Sequence, residues 1–221
     1  MSLQLCSRTS PVPASSDRRA MVDHQLRARG IEDERVLAAM ERVPRELFVP
    51  DELRMHAYAD AALPIGANQT ISQPYMVARI CVELQLHGGE KVLDVGTGSG
   101  YQAAVLAELA AEVHSLERIP TLAEHARAAL DVAGYAGRVR VYELDGTLGL
   151  PGEAPFGGIA VAAAAREPPP ALLEQLEPRG RLVIPIGPHH QQFLRVYVQN
   201  LEGAASSAAL PCRFVPLVRD G

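Results

Sequence analysis

Three stretches carry groups that could converge on one ligand: the acid-x-Gly-x-Gly-x-Gly run from Asp94 to Gly100, Glu117, and the Asp145-Gly146 pair. Glycines at 96, 98 and 100 let the main chain take positive φ and let a ligand approach it closely. The unpaired N–H groups at the start of a following helix face the same place. Two ligand classes compete for this loop. Gly98-Ser99-Gly100-Tyr101-Gln102-Ala103 satisfies the GxGxxA form of a dinucleotide loop. Asp94 at the strand end suits a ligand carrying an ammonium and a sulfonium, and suits a pyrophosphate badly. Glu117 closes the next strand run, where a carboxylate can accept both ribose hydroxyls of either ligand. Asp145-Gly146 follows the third run, where an adenine edge would lie, although such a pair alone is an ordinary turn. No GxSxG elbow surrounds Ser72, so nothing in its local sequence marks it as a nucleophile.

These residues need a scaffold, and the pattern supplies one. β-Type runs at 91–95, 111–117, 138–143 and 156–164 alternate with helical segments, one of them spanning Tyr101 to Leu109. That alternation predicts an α/β fold with a parallel sheet covered on both faces. Runs at 180–187, 193–200 and 208–218 follow, the last two with no helix between them, which predicts an antiparallel hairpin at one end of the sheet. Upstream, Val36, Leu37, Met40 and Val43 follow helical spacing until Pro44 stops the helix. A second helix starts at Pro74, with Met76, Val77, Ile80, Val82 and Leu84 as its apolar positions. Residues 1–20 read as a disordered leader without the apolar stretch of a secretory signal. A single domain over 21–221 is expected, with 21–88 a helical extension carrying a substrate and cofactor loop and 89–221 the α/β core.

Composition narrows the function classes. At 221 residues the chain holds one ordinary domain. Its 48% hydrophobic and 21% charged residues match a globular protein, and no apolar window is long enough to cross a membrane. A net charge of −5 gives no support for nucleic-acid binding. Cys6, Cys81 and Cys212 form no CxxC pair, and seven histidines include no HExxH, so no metal is expected. Lys91 is the one lysine beside twenty arginines, a bias read as one of coding and not of function.

The loop Val92-Leu93-Asp94-Val95-Gly96-Thr97-Gly98-Ser99-Gly100-Tyr101 resembles the S-adenosyl-L-methionine loop of Rossmann-like methyltransferases. The block Gln69-Thr70-Ile71-Ser72-Gln73-Pro74-Tyr75-Met76-Val77-Ala78 closely resembles a hallmark segment of the protein-L-isoaspartate O-methyltransferases. ERVPRELFVP, GRLVIPIG and the closing RFVPL resemble the same family, and the likeness runs from about residue 20 to 218. The resemblance implies S-adenosyl-L-methionine as cofactor and damaged, isoaspartyl-containing proteins and peptides as substrates. A cytoplasmic monomer that engages neither nucleic acid nor membrane is expected. Ser72 would stand beside the transferred methyl, with Thr70 and Ile71 lining the cofactor. Asp94, Gly96, Gly98 and Gly100 would hold its methionine end with Thr97 among the contacts, Glu117 its ribose, and Asp145 and Gly146 its adenine. Val215, Pro216 and Leu217 would border the peptide. The isoaspartyl α-carboxylate, with an ordinary pKa of about 3.3–3.7, is already ionised at neutral pH. Such an enzyme must therefore supply alignment and exclusion of water more than a base.

Three departures from the family pattern stand out: Ala67-Asn68 for its usual His-Gly, Leu144 for a glycine, and Phe156-Gly157 for Tyr-Asp. They leave two alternatives open: a related carboxyl methyltransferase tailoring one specific peptide, and a non-catalytic module that binds cofactor or peptide.

Overall fold

The computed structural model describes residues 15–200 and 203–219. The first helix, α1 (Ser15–Met21), begins inside the expected leader, whose residues 1–14 lie outside the described part. Arg18 explains the earlier start. Its guanidinium donates to the Tyr58 hydroxyl, to Glu46 and to the carbonyl oxygens of Glu41 and Arg42, which ties α1 to the segments that follow.

Helix α2 (Glu34–Arg42) is capped by Asp33, whose carboxylate accepts the N–H groups of Arg35 and Val36. A short hairpin, β1 (Leu63–Gly66) and β2 (Gln69–Ile71), leads into α3 (Pro74–Leu84), with proline at the helix start where its missing N–H costs nothing. Then come β3 (Lys91–Val95), α4 (Tyr101–Ala107), β4 (Glu112–Glu117), α5 (Pro120–Val132), β5 (Val139–Glu143), β6 (Phe156–Val161) and α6 (Pro170–Glu174). Strands β7 (Leu176–Ile186), β8 (Gln192–Asn200) and β9 (Gly203–Cys212) complete the chain.

Seven strands form one sheet in the order β5-β4-β3-β6-β7-β8-β9. The first five in that order pair in parallel, and β7–β8 and β8–β9 pair antiparallel. Side chains alternate between two apolar layers: Val92 and Val113 join the helices α1 to α5 on one face, whereas Leu93, Val95 and Leu116 join Phe156 and Leu172 on the other. Strand order reverses at β3, with β4 and β5 on one side of it and β6 and β7 on the other, and the crevice outside the carboxyl ends of strands at such a switch point is where open α/β sheets bind ligands.

One expected strand differs. The run 208–218 does not continue to Val218, because β9 ends at Cys212 and the chain then leaves the sheet. Residues 215–217 cross over the carboxyl end of the sheet instead, where Ala164 N–H donates to the Val215 carbonyl (2.7 Å) and Leu217 N–H donates to the Ala164 carbonyl (2.8 Å).

Candidate active site

The glycine loop joins β3 to α4 at the switch point. Gly96, Gly98 and Gly100 all have positive φ (90°, 53° and 89°), so the loop depends on glycine at each. Gly96 and Thr97 N–H both donate to the Leu116 carbonyl, binding the loop to the end of β4. From that end Glu117 reaches back, and its two carboxylate oxygens accept Gly98 N–H at 2.8 Å and Ile119 N–H at 3.0 Å. A carboxylate offers about four acceptor positions, so Glu117 retains capacity for two further donors.

Asp94 is wholly buried behind the loop. One oxygen accepts Gln102 Nε2 (2.8 Å) and the other accepts the hydroxyl of Ser115 (2.6 Å), its partner across the β3–β4 ladder. Thr97 Oγ1 lies 2.5 Å from the same Ser115 oxygen, which completes a buried polar chain. Burial pushes the Asp94 carboxyl up to about 6, against the opposing effect of the Ser115 and Gln102 hydrogen bonds, with Glu117 adding to the rise.

An open cleft sits over the loop. Of the residues singled out in the sequence, Thr70, Ile71, Ser72, Gly96, Thr97 and Gly98 line it. Glu117, Gly146, Val215, Pro216 and Leu217 line it as well. Asp94, Gly100 and Asp145 do not. Asp94 acts through Gln102 and Ser115; Gly100 packs against Leu130 and Ala126; Asp145 accepts the N–H and hydroxyl of Thr147, capping the turn that presents Gly146. Gly146 has no room for a side chain, since a Cβ would come within 2.4 Å of Val95 Cγ1.

Gln102, Tyr101 and Ile119 line the cleft without having been singled out in the sequence. The signal for Gln102 lay in helical spacing, because the second residue of the helix after the loop faces back onto β3. Its amide is oriented by the carboxylate of Asp94, and the opposite atom, Oε1, is buried with no partner among the described residues. This cleft fits a ligand that is cationic at one end and a nucleoside at the other. An ammonium donor would satisfy Gln102 Oε1 beside the acidic group of Asp94, and Glu117 has acceptor capacity for a ribose. A pyrophosphate would meet the buried Asp94 with the wrong sign.

A mostly parallel sheet, a glycine loop at its switch point and a carboxylate closing the neighbouring strand define a Rossmann-like methyltransferase. The chain belongs to the Protein-L-isoaspartate(D-aspartate) O-methyltransferase family, whose profile matches residues 16–221. It is 55% identical over 206 residues to Protein-L-isoaspartate O-methyltransferase 2 of Marinobacter nauticus, covering 92% of this chain and 94% of that one. It is 51% identical over 208 residues to the corresponding protein of Methanoculleus marisnigri, covering 93% of each. A Plasmodium falciparum beta-aspartate methyltransferase solved with S-adenosyl-L-homocysteine superposes with a TM-score of 0.79 at 25% identity, covering 92% of this chain and 99% of that one.

Proposed function

We propose that this protein transfers the methyl group of S-adenosyl-L-methionine to the free α-carboxylate of L-isoaspartyl residues in damaged proteins and peptides. The observation that carries this is the joint lining of one cleft by Ser72, the glycine loop, Glu117 and the 215–217 crossing. When bound, the cofactor supplies an electrophilic methyl. The chain's own residues do the rest. Glu117 and the Gln102–Asp94 pair orient the two ends of the cofactor. Ser72 holds the incoming carboxylate so that the reacting atoms approach in line. Val215, Pro216 and Leu217 roof the cleft and keep water from it, and a second groove continues from Ser72 past Tyr75 to Arg213, giving a peptide a path to the site. No proton has to be removed, because the carboxylate is already ionised. The methyl ester then closes spontaneously to a succinimide as the neighbouring amide nitrogen displaces methanol, and hydrolysis of the succinimide returns part of the population to normal aspartate.

None of Ala67, Asn68, Leu144 and Gly157 lines the cleft. No helix among the described residues is long and apolar enough to cross a membrane. Monomeric state and cytoplasmic location belong to the same proposal, and size-exclusion chromatography tests the first. The activity is tested with labelled S-adenosyl-L-methionine and a matched pair of peptides, one with aspartate and one with isoaspartate at the same position. Base-labile methyl ester on the isoaspartyl peptide alone is expected; its absence there overturns the assignment.

A further inference from the structure

Arg45 is completely buried and forms no ion pair among the described residues. The acid beside it, Glu46, is already engaged by Arg18 and by the Tyr58 hydroxyl. Desolvation without a compensating carboxylate lowers the guanidinium's pKa to about 10. Its contacts are unusual for a buried cation. Nε donates to the Ala57 carbonyl at 2.7 Å, Nη2 donates to the Ser72 carbonyl at 2.8 Å, and the guanidinium lies over the Tyr101 ring with 4.7 Å to its centre. Nη1 has no acceptor among the described residues. A buried cation held by neutral groups, with one orphaned N–H corner, lowers stability relative to an apolar side chain of similar size. The stability of the fold therefore does not account for it.

Its reach accounts for it better. Ser72 and Tyr101 both line the cofactor cleft, one from the loop before α3 and the other from the first turn after the glycine loop. The rigid planar fork of arginine bridges the two and a compact ammonium could not, because several directed N–H donors and a stacking face are needed at once. We propose that Arg45 is a positioning residue for methyl transfer, fixing the Ser72 main chain against Tyr101 so that the Ser72 hydroxyl and the cofactor loop keep their register. The proposal rests on the reading of Ser72 as the group beside the transferred methyl.

Four variants test it: Arg45→Met, Arg45→Lys, Ser72→Ala and the double variant of Arg45→Met with Ser72→Ala, each measured for kcat and KM on an isoaspartyl peptide and for S-adenosyl-L-homocysteine affinity by calorimetry. Methionine fills much of the volume without a buried charge, so Arg45→Met keeps a thermal midpoint at or above that of the parent. Its kcat falls on the order of 30-fold, with KM and cofactor affinity within about threefold, as loss of alignment without loss of binding requires. The double variant is no worse than the poorer single one, because both changes disable the same alignment. Arg45→Lys keeps the charge but loses the fork, and recovers only a fraction of kcat; it also carries the comparison if Arg45→Met does not fold. A parent-like kcat in Arg45→Met, or losses that multiply in the double variant, overturns the proposal. A parent-like kcat in Ser72→Ala alone overturns the reading of Ser72 and the proposal with it, whereas an impaired Ser72→Ala beside a normal Arg45→Met overturns only the proposal.

Discussion

Glu117 Oε2 accepts the main-chain N–H of Gly98 at 2.8 Å, so the acid that ends β4 also holds the loop that ends β3. Glu117→Ala removes this acceptor, frees the Ile119 N–H and takes away the carboxylate assigned to the ribose. S-adenosyl-L-homocysteine binding should weaken by about 10–100-fold, or roughly 1.4–2.8 kcal/mol. Glu117→Gln keeps one carbonyl oxygen and should fall between. Calorimetry decides, and an unchanged dissociation constant in Glu117→Ala contradicts the ribose assignment.

Ser72 should separate chemistry from binding. Ser72→Ala is expected to lower kcat by at least about tenfold while cofactor affinity stays within about threefold, the pattern of a group that acts in the transition state. Equal losses in kinetics and calorimetry would show that the hydroxyl serves the cofactor and not the carboxylate.

Asp94 carries a pH dependence of stability with a definite sign. Its carboxyl is raised by burial from 3.8 to about 6, so the folded state holds a proton that the unfolded state has released. The stability this provides is complete below about pH 4 and is lost as pH rises through 6, about 2–3 kcal/mol in all. Asp94→Asn cannot ionise, so its stability should gain on the parent between pH 4 and 6 and then hold a constant lead. His114, whose pKa burial lowers, acts in the opposite sense as pH falls below about 6.5, but it is common to both proteins and cancels in the difference. Denaturant unfolding across this range measures the difference, and a flat one refutes the assignment.

How much of this was legible in the sequence follows from the range of each interaction. The β3–loop–α4 unit was readable because its demands are local: a buried strand, glycines at positive φ and a helix start. Glu117 was readable because it lies one strand away at a fixed position. Ser115 was not, since its place opposite Asp94 depends on which residues of β3 and β4 fall into register. Arg45 carries no local mark of its role, because its partners Ala57, Ser72 and Tyr101 lie 12, 27 and 56 positions along the chain. The 213–218 segment has strand-like composition, yet hydrogen bonding to Ala164 and the proline at 216 draw it off the sheet and over the cleft.

The β1–β2 turn offers a stabilising substitution. Ala67 and Asn68 are consecutive residues with φ of 48° and 57°, the form of a two-residue hairpin turn that needs positive φ at both positions. Asparagine accepts that conformation, whereas alanine is strained in it by about 1–2 kcal/mol. Ala67→Asn should raise stability by about 0.5–1 kcal/mol. Activity should be untouched, because residue 67 lies outside the cleft lining. A lowered thermal midpoint would count against the turn as described.

Gly157 tests whether a departure from the family pattern is a defect or an adaptation. Restoring the family's aspartate looks, from sequence alone, like a repair. The structure argues the reverse. A Cβ at 157 would come within 2.8 Å of Glu90 Cγ and 2.9 Å of Glu177 Oε1, so the space is taken by two acidic side chains. Glu90 cannot easily yield, since its carboxylate accepts the N–H groups of His87 and Gly88 at 2.7 and 2.8 Å, and those bonds keep its pKa low despite the opposing effect of burial. Gly157→Asp therefore adds both a steric clash and a third negative charge, and should destabilise the protein by about 2–4 kcal/mol. Gly157→Asn shares the clash but not the charge, so the gap between the two variants measures the repulsion and should narrow in high salt. Below the melting range both should methylate at the parent rate, since residue 157 does not border the cleft. A Gly157→Asp protein as stable as its parent would mean that the glycine is not matched to Glu90 and Glu177 at all.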